Sequence, residues 1–407
     1  MNFPLYIARR YFFAKKKASF ISLISNISML GVGVGVTALV IVLSVFNGLE
    51  DFQRGLYKSF DPNLKISPKE GKNFLVSEAL LKKLQQTEGV ASVTQVIQEN
   101  ALLRYRDAQM VVNLKGVDDN FIRQNRLKNS ILQGNLVLHE KGQDYMVMGT
   151  GVYLTLGVNL EDFLTPVEVW FPKNTGSKTI DFTSADAFSR LNILPSGIFA
   201  IEQEYDDNYV FVPLSFAKEL FEYGNKRTAL EVQIKSGADL ARIQSSFSNL
   251  LGDQFIVQNQ DEQHATLLRA IKIEKLFVFL TLSFIIGIAS FNIFFSLSML
   301  AIEKKEDVKT LYAMGATSDI IMKIFLFEGA IVAFSGAIFG LILGFLACWL
   351  QETFGFISMG IANALVDAYP VKMQFSDFLY TSLTVSLLTV LASYFPARRA
   401  TEAGIIS

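Results

Sequence analysis

Long uncharged stretches constrain this chain more than any other feature. No Asp, Glu, Lys or Arg lies between Lys17 and Glu50, between Lys275 and Glu303, or between Asp377 and Arg398. Each gap reaches the ~20 residues that an α-helix needs to cross a bilayer. A fourth stretch, from about Ile324 to Leu350, is uncharged after Glu328 and carries Gly336, Gly340 and Gly344 at i, i+4 and i+8. That series makes a smooth face suited to close packing within the chain's own bundle. Four spans are therefore expected: 20–48, 272–302, 319–350 and 377–397.

The first stretch follows a basic segment, Arg9, Arg10 and Lys15 to Lys17, as a secretory signal would. Its apolar length is about twice that of a signal h-region, and no small-x-small cleavage site follows, so it reads as an anchor. The basic start and the Arg398-Arg399 pair both belong inside by the positive-inside rule. Four spans put both ends on that side, with residues 1–19 and 398–407 cytoplasmic. The segment 49–270 then lies outside, which in a bacterium means the periplasm or the cell surface, and 351–376 is a short outer loop.

Composition agrees and excludes several functions. Hydrophobic residues make up 51% and charged residues 18%, and 37 basic against 38 acidic side chains leave a net charge of −1. Nothing in that balance favours nucleic acid. One cysteine, Cys348, rules out a disulfide within the chain, and His139 and His264 stand in no metal-spacing motif.

The outer segment reads as α+β. A strand at 63–68, a helix at 77–88 capped by Ser77 and two β-rich runs over 91–116 are followed, much later, by a strand at 228–235, a helix at 238–250 and a strand at 255–260. These halves suggest one split βαβ layer, 61–116 with 226–262, interrupted by a β-rich insertion at about 117–225. The insertion is expected to hold strands near 144–149, 166–172, 197–203 and 208–213. Between them, 172–195 reads as a long connection punctuated by Phe182 and Phe188, either a partner-binding loop or a surface insertion.

Two further segments have a periodic apolar face. Leu49, Phe52, Leu56 and Phe60 fall on one helical stripe, as do Leu267, Leu268 and Ile271, so two spans are expected to continue as stalks beyond the bilayer. Between the second and third spans, 303–318 reads as a short helix with Val308, Leu311 and Tyr312 on one face, ended by Gly315. Such a face, flanked by charge, wants a protein groove or the lipid surface.

Chemistry is sparse. No phosphate-cradling G-x-x-x-x-G-K-[ST] loop is present; Gly176-Ser177-Lys178-Thr179 lacks the first glycine. No hydrolase, metalloprotease or dinucleotide motif appears, so a catalytic site is not expected. Glu328 is the one acid inside a span, placed where it is expected to reach water near the cytoplasmic end.

The order of one span, a large outer domain and three more spans resembles the MacB-like ABC permeases and, within them, the lipoprotein-releasing LolC/LolE family. The resemblance is strongest in LGVGVGVTALVIVLSVFNGLE (30–50), AIKIEKLFVFLTLSFIIGIASFNI (270–293) and AIEKKEDVKTLYAMGATSDIIMKIFLFEGAIVAFSGAIFGLILG (301–344), with YFPARRA (394–400) in agreement. It implies a ferredoxin-like porter part, an inserted β-rich part and a non-catalytic permease in the bacterial inner membrane. The chain would need no cofactor of its own, because ATP is bound by a separate cytoplasmic ABC ATPase.

That ATPase is expected to dock on the 303–318 helix through Glu303, Lys304, Asp307, Val308, Leu311 and Gly315, with Leu311 entering its groove. A second permease copy or paralogue would complete a dimer. The substrate implied is a triacylated lipoprotein, its acyl chains held near Val42, Phe46, Ile288 and Phe291. A periplasmic lipoprotein carrier would meet Phe182 and Phe188. Two other functions fit the same architecture: an FtsX-like regulator of cell-wall hydrolases, and MacB-like efflux.

Overall fold

The computed structural model describes residues 3–13, 20–124, 126–173, 187–359 and 368–403. The chain folds as two compact units, Met1–Gln53 with Thr266–Ser407, and Arg54–Ala265.

The first unit holds the long apolar helices Ala265–Glu303, Ser318–Phe354 and Phe375–Ala403 and most of Phe20–Phe60, whose last residues belong to the second unit; all four are long and apolar enough to cross a membrane. The glycine series packs within the chain, as expected. A Cβ on Gly340 would meet the Gly33 carbonyl and Val36, and one on Gly344 would meet Val40. The Thr37 hydroxyl, between the Gly33 carbonyl at 2.8 Å and the Gly340 carbonyl at 3.1 Å, satisfies its donor across this glycine-lined contact.

The first and second long helices run antiparallel in one register. Asn47 meets Lys275, Gly35 faces Ile286, Gly31 faces Ala289, and Ser25 meets Ser296 at 2.6 Å. Val32, Val36, Leu39 and Leu43 form the bundle's core with Ile286, Ile293 and Leu297. A short helix, Phe3–Phe13, precedes the first span, where the sequence suggested only a basic segment.

The second unit is built on one sheet. Strands Phe255–Asn259, Leu64–Pro68, Ala229–Ile234 and Val90–Tyr105 lie side by side in that order, each antiparallel to its neighbour. Helices Glu78–Gln85 and Leu240–Leu251 connect them and cover one face, burying Leu84, Ile243 and Phe247 against Leu64, Ile66 and Leu230. Ser77 caps the first helix, its hydroxyl accepting from the Leu80 amide at 3.2 Å.

The inserted residues extend the same sheet. Val90–Tyr105 pairs with Ala108–Val117, then follow Tyr209–Pro213, Gln143–Gly149 and Phe188–Phe199. Val167–Pro172 pairs with both Phe188–Phe199 and Val90–Tyr105, so the hydrogen-bonding path returns on itself. Each strand of this ring has a neighbour on both sides, while Ile131–Gly134 adds to Phe188–Phe199 outside it, and Leu103, Val112, Met146, Val169 and Ile193 fill the core.

Residues 172–195 are not one long connection, because Phe188–Phe199 is strand and the link shortens to 173–187. Asn192 and Pro195 look like loop residues in sequence. Pro195 is tolerated because the ladder to Gln143–Gly149 shifts register beside it, between Met146 and Val147.

Candidate functional site

The predicted coupling helix forms over Lys305–Ala313, and Gly315 at φ +90° turns the chain back. Its apolar face does not point outward. Val308 is 2% exposed and joins Leu300, Ile321, Ile324, Phe325, Ala397 and Ala400, with Leu311 and Tyr312 half-buried beside them. The Tyr312 hydroxyl lies 3.1 Å from the Ser318 hydroxyl and 3.2 Å from the Thr401 carbonyl.

Leu311 is therefore not a free plug for a partner's groove: the tight Gly315 turn folds the helix onto the ends of its own bundle. Exposed along the helix and beside it are Glu303, Glu306, Asp307, Thr310, Ala313, Met314 and Gly315, with Met314 at 78%. Lys304 lies 3.4 Å from Asp307 and 5.3 Å from the centre of the Tyr11 ring. Burial first, then the Asp307 and Glu328 carboxylates, push the Tyr11 hydroxyl up to about 12.

Glu328 does not reach water. It is 6% exposed, and its Oε2 has no hydrogen-bond partner among the described residues. The neighbouring Gly329 lets the helix pass close to Leu297 and Ser393, which closes the route to solvent expected from the sequence.

At the opposite end of the bundle lies a polar clasp. The Asn47 amide donates to Asp377 at 2.5 Å and to the Lys372 carbonyl at 3.2 Å, while the Lys275 ammonium donates to the Asn47 carbonyl oxygen at 2.5 Å. Lys275 stands 3.5 Å from Asp377. Asn47 and Asp377 are buried, and Gly48 is required beside them because any Cβ would strike the Pro370 and Val371 backbone. This gives the Asn-Gly pair of the VFNG element a physical role: it joins the first, second and fourth long helices at one level.

The four residues expected to form an acyl groove do not meet. In the antiparallel register, Val42 and Phe46 lie level with residues 275–279, whereas Ile288 and Phe291 lie level with residues 30–33. The smallest of these offsets, nine residues, is already about 14 Å at 1.5 Å per residue. Ile288 and Phe291 instead belong to an exposed stripe on the second span with Phe277, Leu280, Phe284 and Phe295. Phe277 and Leu280 are the members level with Val42 and Phe46, which are half-buried. The stripe was legible as spacings of three, four and seven through 277–295, a signal passed over for isolated residues.

In the sheet unit, Phe60, the last residue of the first long helix, sits in an aromatic core with Tyr205, Tyr209 and Phe211. Arg126 donates to the Phe60 carbonyl at 3.2 Å, satisfying a helix-end acceptor. The next residue, Asp61, lies 2.5 Å from His264 Nε2 and accepts at its carbonyl from Gln260 at 3.0 Å. Arg54 pairs with Asp261. The chain's entry to this unit is thus tied to its exit.

Beneath this junction, Glu231 pairs with Lys115 at 2.6 Å and with Arg126 at 3.0 Å, all three almost fully enclosed. Burial alone would raise the Glu231 carboxyl, but the two cations outweigh it and hold the group at about 2.

Of the predicted docking pair, Phe182 lies outside the described residues. Phe188 is a strand residue paired with Pro172, its ring 5.8 Å from that of Trp170. Arg190 stacks on the same indole at 3.9 Å.

Among the described residues no cluster of His, Cys, Asp and Glu is arranged to hold a metal ion. Residues 25–250 match the family model of the MacB-like periplasmic core domain, and residues 279–405 match that of the FtsX-like permease C-terminal region. The chain belongs to the MacB-like permeases, membrane proteins with a periplasmic domain between the first two spans.

Within them it is a LolC/LolE-family permease. It is 25% identical to the lipoprotein-releasing system transmembrane protein LolE of Haemophilus influenzae, over 99% of this chain and 98% of the relative. It is 23% identical to LolC of Neisseria meningitidis serogroup B, over 98% and 96%. The crystal structure of the periplasmic region of MacB from Actinobacillus actinomycetemcomitans aligns with a TM-score of 0.36 at 13% identity, over 52% of this chain and 95% of that one.

Proposed function

We propose that this chain is the transmembrane subunit of an ABC-type lipoprotein-releasing complex, coupling ATP hydrolysis by a separate subunit to extraction of triacylated lipoproteins from the inner membrane for delivery to the outer membrane. The observation that carries this is the end-to-end likeness to relatives named for lipoprotein release. A triacylated anchor holds roughly 30 kcal/mol of membrane burial at ~0.8 kcal/mol per CH₂, so its chains must pass from one apolar site to another. The Phe-rich stripe of the second span is an apolar face that the described residues of the chain leave uncovered.

In this reading both termini are cytoplasmic, as the Lys/Arg distribution requires. The ATPase docks on the exposed edge of the short helix, at Glu303, Lys304, Asp307, Met314 and Gly315, while Val308 and Leu311 hold that helix to the bundle. Acyl chains enter beside Val42, Phe46, Phe277 and Leu280, and a second permease copy or paralogue closes the site along Phe284, Ile288 and Phe291. The four-stranded layer, in split βαβ order, is the ferredoxin-like porter part. The 173–187 link, with Phe182 in it and Phe188 at its base, meets the periplasmic carrier.

Deletion of 174–186 separates docking from pumping. Assembly and ATP turnover should persist while lipoprotein transfer to the carrier stops; transfer at the parental rate would remove the carrier from this link.

A further inference from the structure

The helix Phe3–Phe13 has two unlike sides. One side, with Ile7, Ala8 and Tyr11, packs into the cluster that holds Val308 and Leu311. The other carries Phe3, Tyr6, Arg9, Arg10 and Phe13, all exposed, and the Arg9 guanidinium lies 5.9 Å from the centre of the Phe13 ring. Aromatic rings interleaved with arginines suit the headgroup layer, where the rings enter the apolar boundary and the guanidinium groups meet phosphate. The helix packs against the start of Ser318–Phe354, one of the bilayer-long helices, which sets it at that boundary. Both exposed charges are positive, so an anionic lipid complements them better than a zwitterionic one.

We propose that Phe3–Phe13 docks anionic phospholipid headgroups and transmits their occupancy to the Lys305–Ala313 helix through Tyr11. The link is short: Tyr11 packs on the cluster that holds Val308 and Leu311, and the Lys304 ammonium lies 5.3 Å from the centre of its ring. A headgroup drawing on Arg9 and Arg10 shifts the helix that carries Tyr11, and with it the helix on which the ATPase is proposed to dock. Only this last consequence, and the choice of the cytoplasmic leaflet, rest on the proposed function.

A local reporter tests the lipid contact. In the full chain with Trp170→Phe and Trp349→Phe, the substitution Phe13→Trp places one indole on the exposed side. Nanodiscs containing brominated phosphatidylglycerol should quench it roughly tenfold more effectively than those containing brominated phosphatidylethanolamine. Arg9→Gln with Arg10→Gln should bring the two lipids level. Equal quenching in both backgrounds, or no quenching by either lipid, overturns the proposal, and the second result assigns the face to a protein partner.

Tyr11→Ala removes the ring that packs on the Val308 cluster and faces Lys304, and leaves Arg9, Arg10 and the exposed aromatic side chains in place. In the complete complex it should retain the lipid preference yet lose the dependence of ATP turnover on phosphatidylglycerol. Unchanged dependence would overturn the link to the Lys305–Ala313 helix. Failure of the permease reading would silence turnover alone and leave the quenching result standing.

Discussion

Two buried polar networks differ in how they are closed. In the periplasmic domain, Lys115, Glu231 and Arg126 form two ion pairs at 2.6 and 3.0 Å, with side chains 2–4% exposed. In the membrane unit, Lys275 reaches Asp377 only at 3.5 Å, uses Asn47 as a bridge and is itself 24% exposed. The first network has no route to water and stays shut. The second can release its lysine to solvent, so the outer ends of the first, second and fourth spans can part without stranding a buried cation. The domain is welded and the bundle is clasped.

Breaking the weld should have the largest effect. Glu231→Gln leaves Lys115 and Arg126 enclosed without a counter-charge, a loss of about 3–5 kcal/mol. Fluorescence of Trp170 in a Trp349→Phe background reads it as a lower unfolding midpoint. The Glu231 carboxyl is depressed from its ordinary 4.5 to about 2. Its contribution is therefore complete above about pH 4.5 and disappears as pH falls toward 2, and the Gln variant should lose that part of the acid slope.

Opening the clasp comes next. Asp377→Asn should cost about 1–3 kcal/mol, because Lys275 keeps access to water. Hydrogen exchange should accelerate over 272–280 and stay slow over 286–297; uniform acceleration would make the clasp as integral as the weld. A third variant tests which face of the Lys305–Ala313 helix is structural. Leu311→Ala should destabilise the bundle by about 1–2 kcal/mol, since the residue is only half-buried. Met314→Ala should leave stability within about 0.5 kcal/mol while weakening capture of the ATPase.

The smallest effect on stability is expected on the open face of the second span. Phe284→Ala with Phe291→Ala should stay within about 0.5 kcal/mol by thermal unfolding but lower lipoprotein release. A large loss of stability would mean that the chain's own bundle buries the stripe.

The spans, the split βαβ halves and the short helix were legible because each depends on periodicity within a few residues. The closed ring of strands was not, since pairing Val167–Pro172 with Val90–Tyr105 is a long-range choice that local pattern does not encode. The same limit explains Leu311: its stripe is visible in sequence, whereas the cluster it packs against draws members such as Phe325 and Ala397 from other helices. Glu328 follows suit, because proximity to a span's end says nothing of the packing that Gly329 permits. For Val42, Phe46, Ile288 and Phe291, residue type was read and level was not; the level comes only from the 47-to-275 and 25-to-296 contacts.

The most direct test of the account is reconstitution of the permease with its partner ATPase in proteoliposomes carrying a triacylated lipoprotein, with carrier protein outside. ATP should release lipoprotein to the carrier, and neither the ATPase alone nor the permease alone should do so. Release that proceeds without this chain, or ATP turnover in the full complex that never moves lipoprotein, would contradict it.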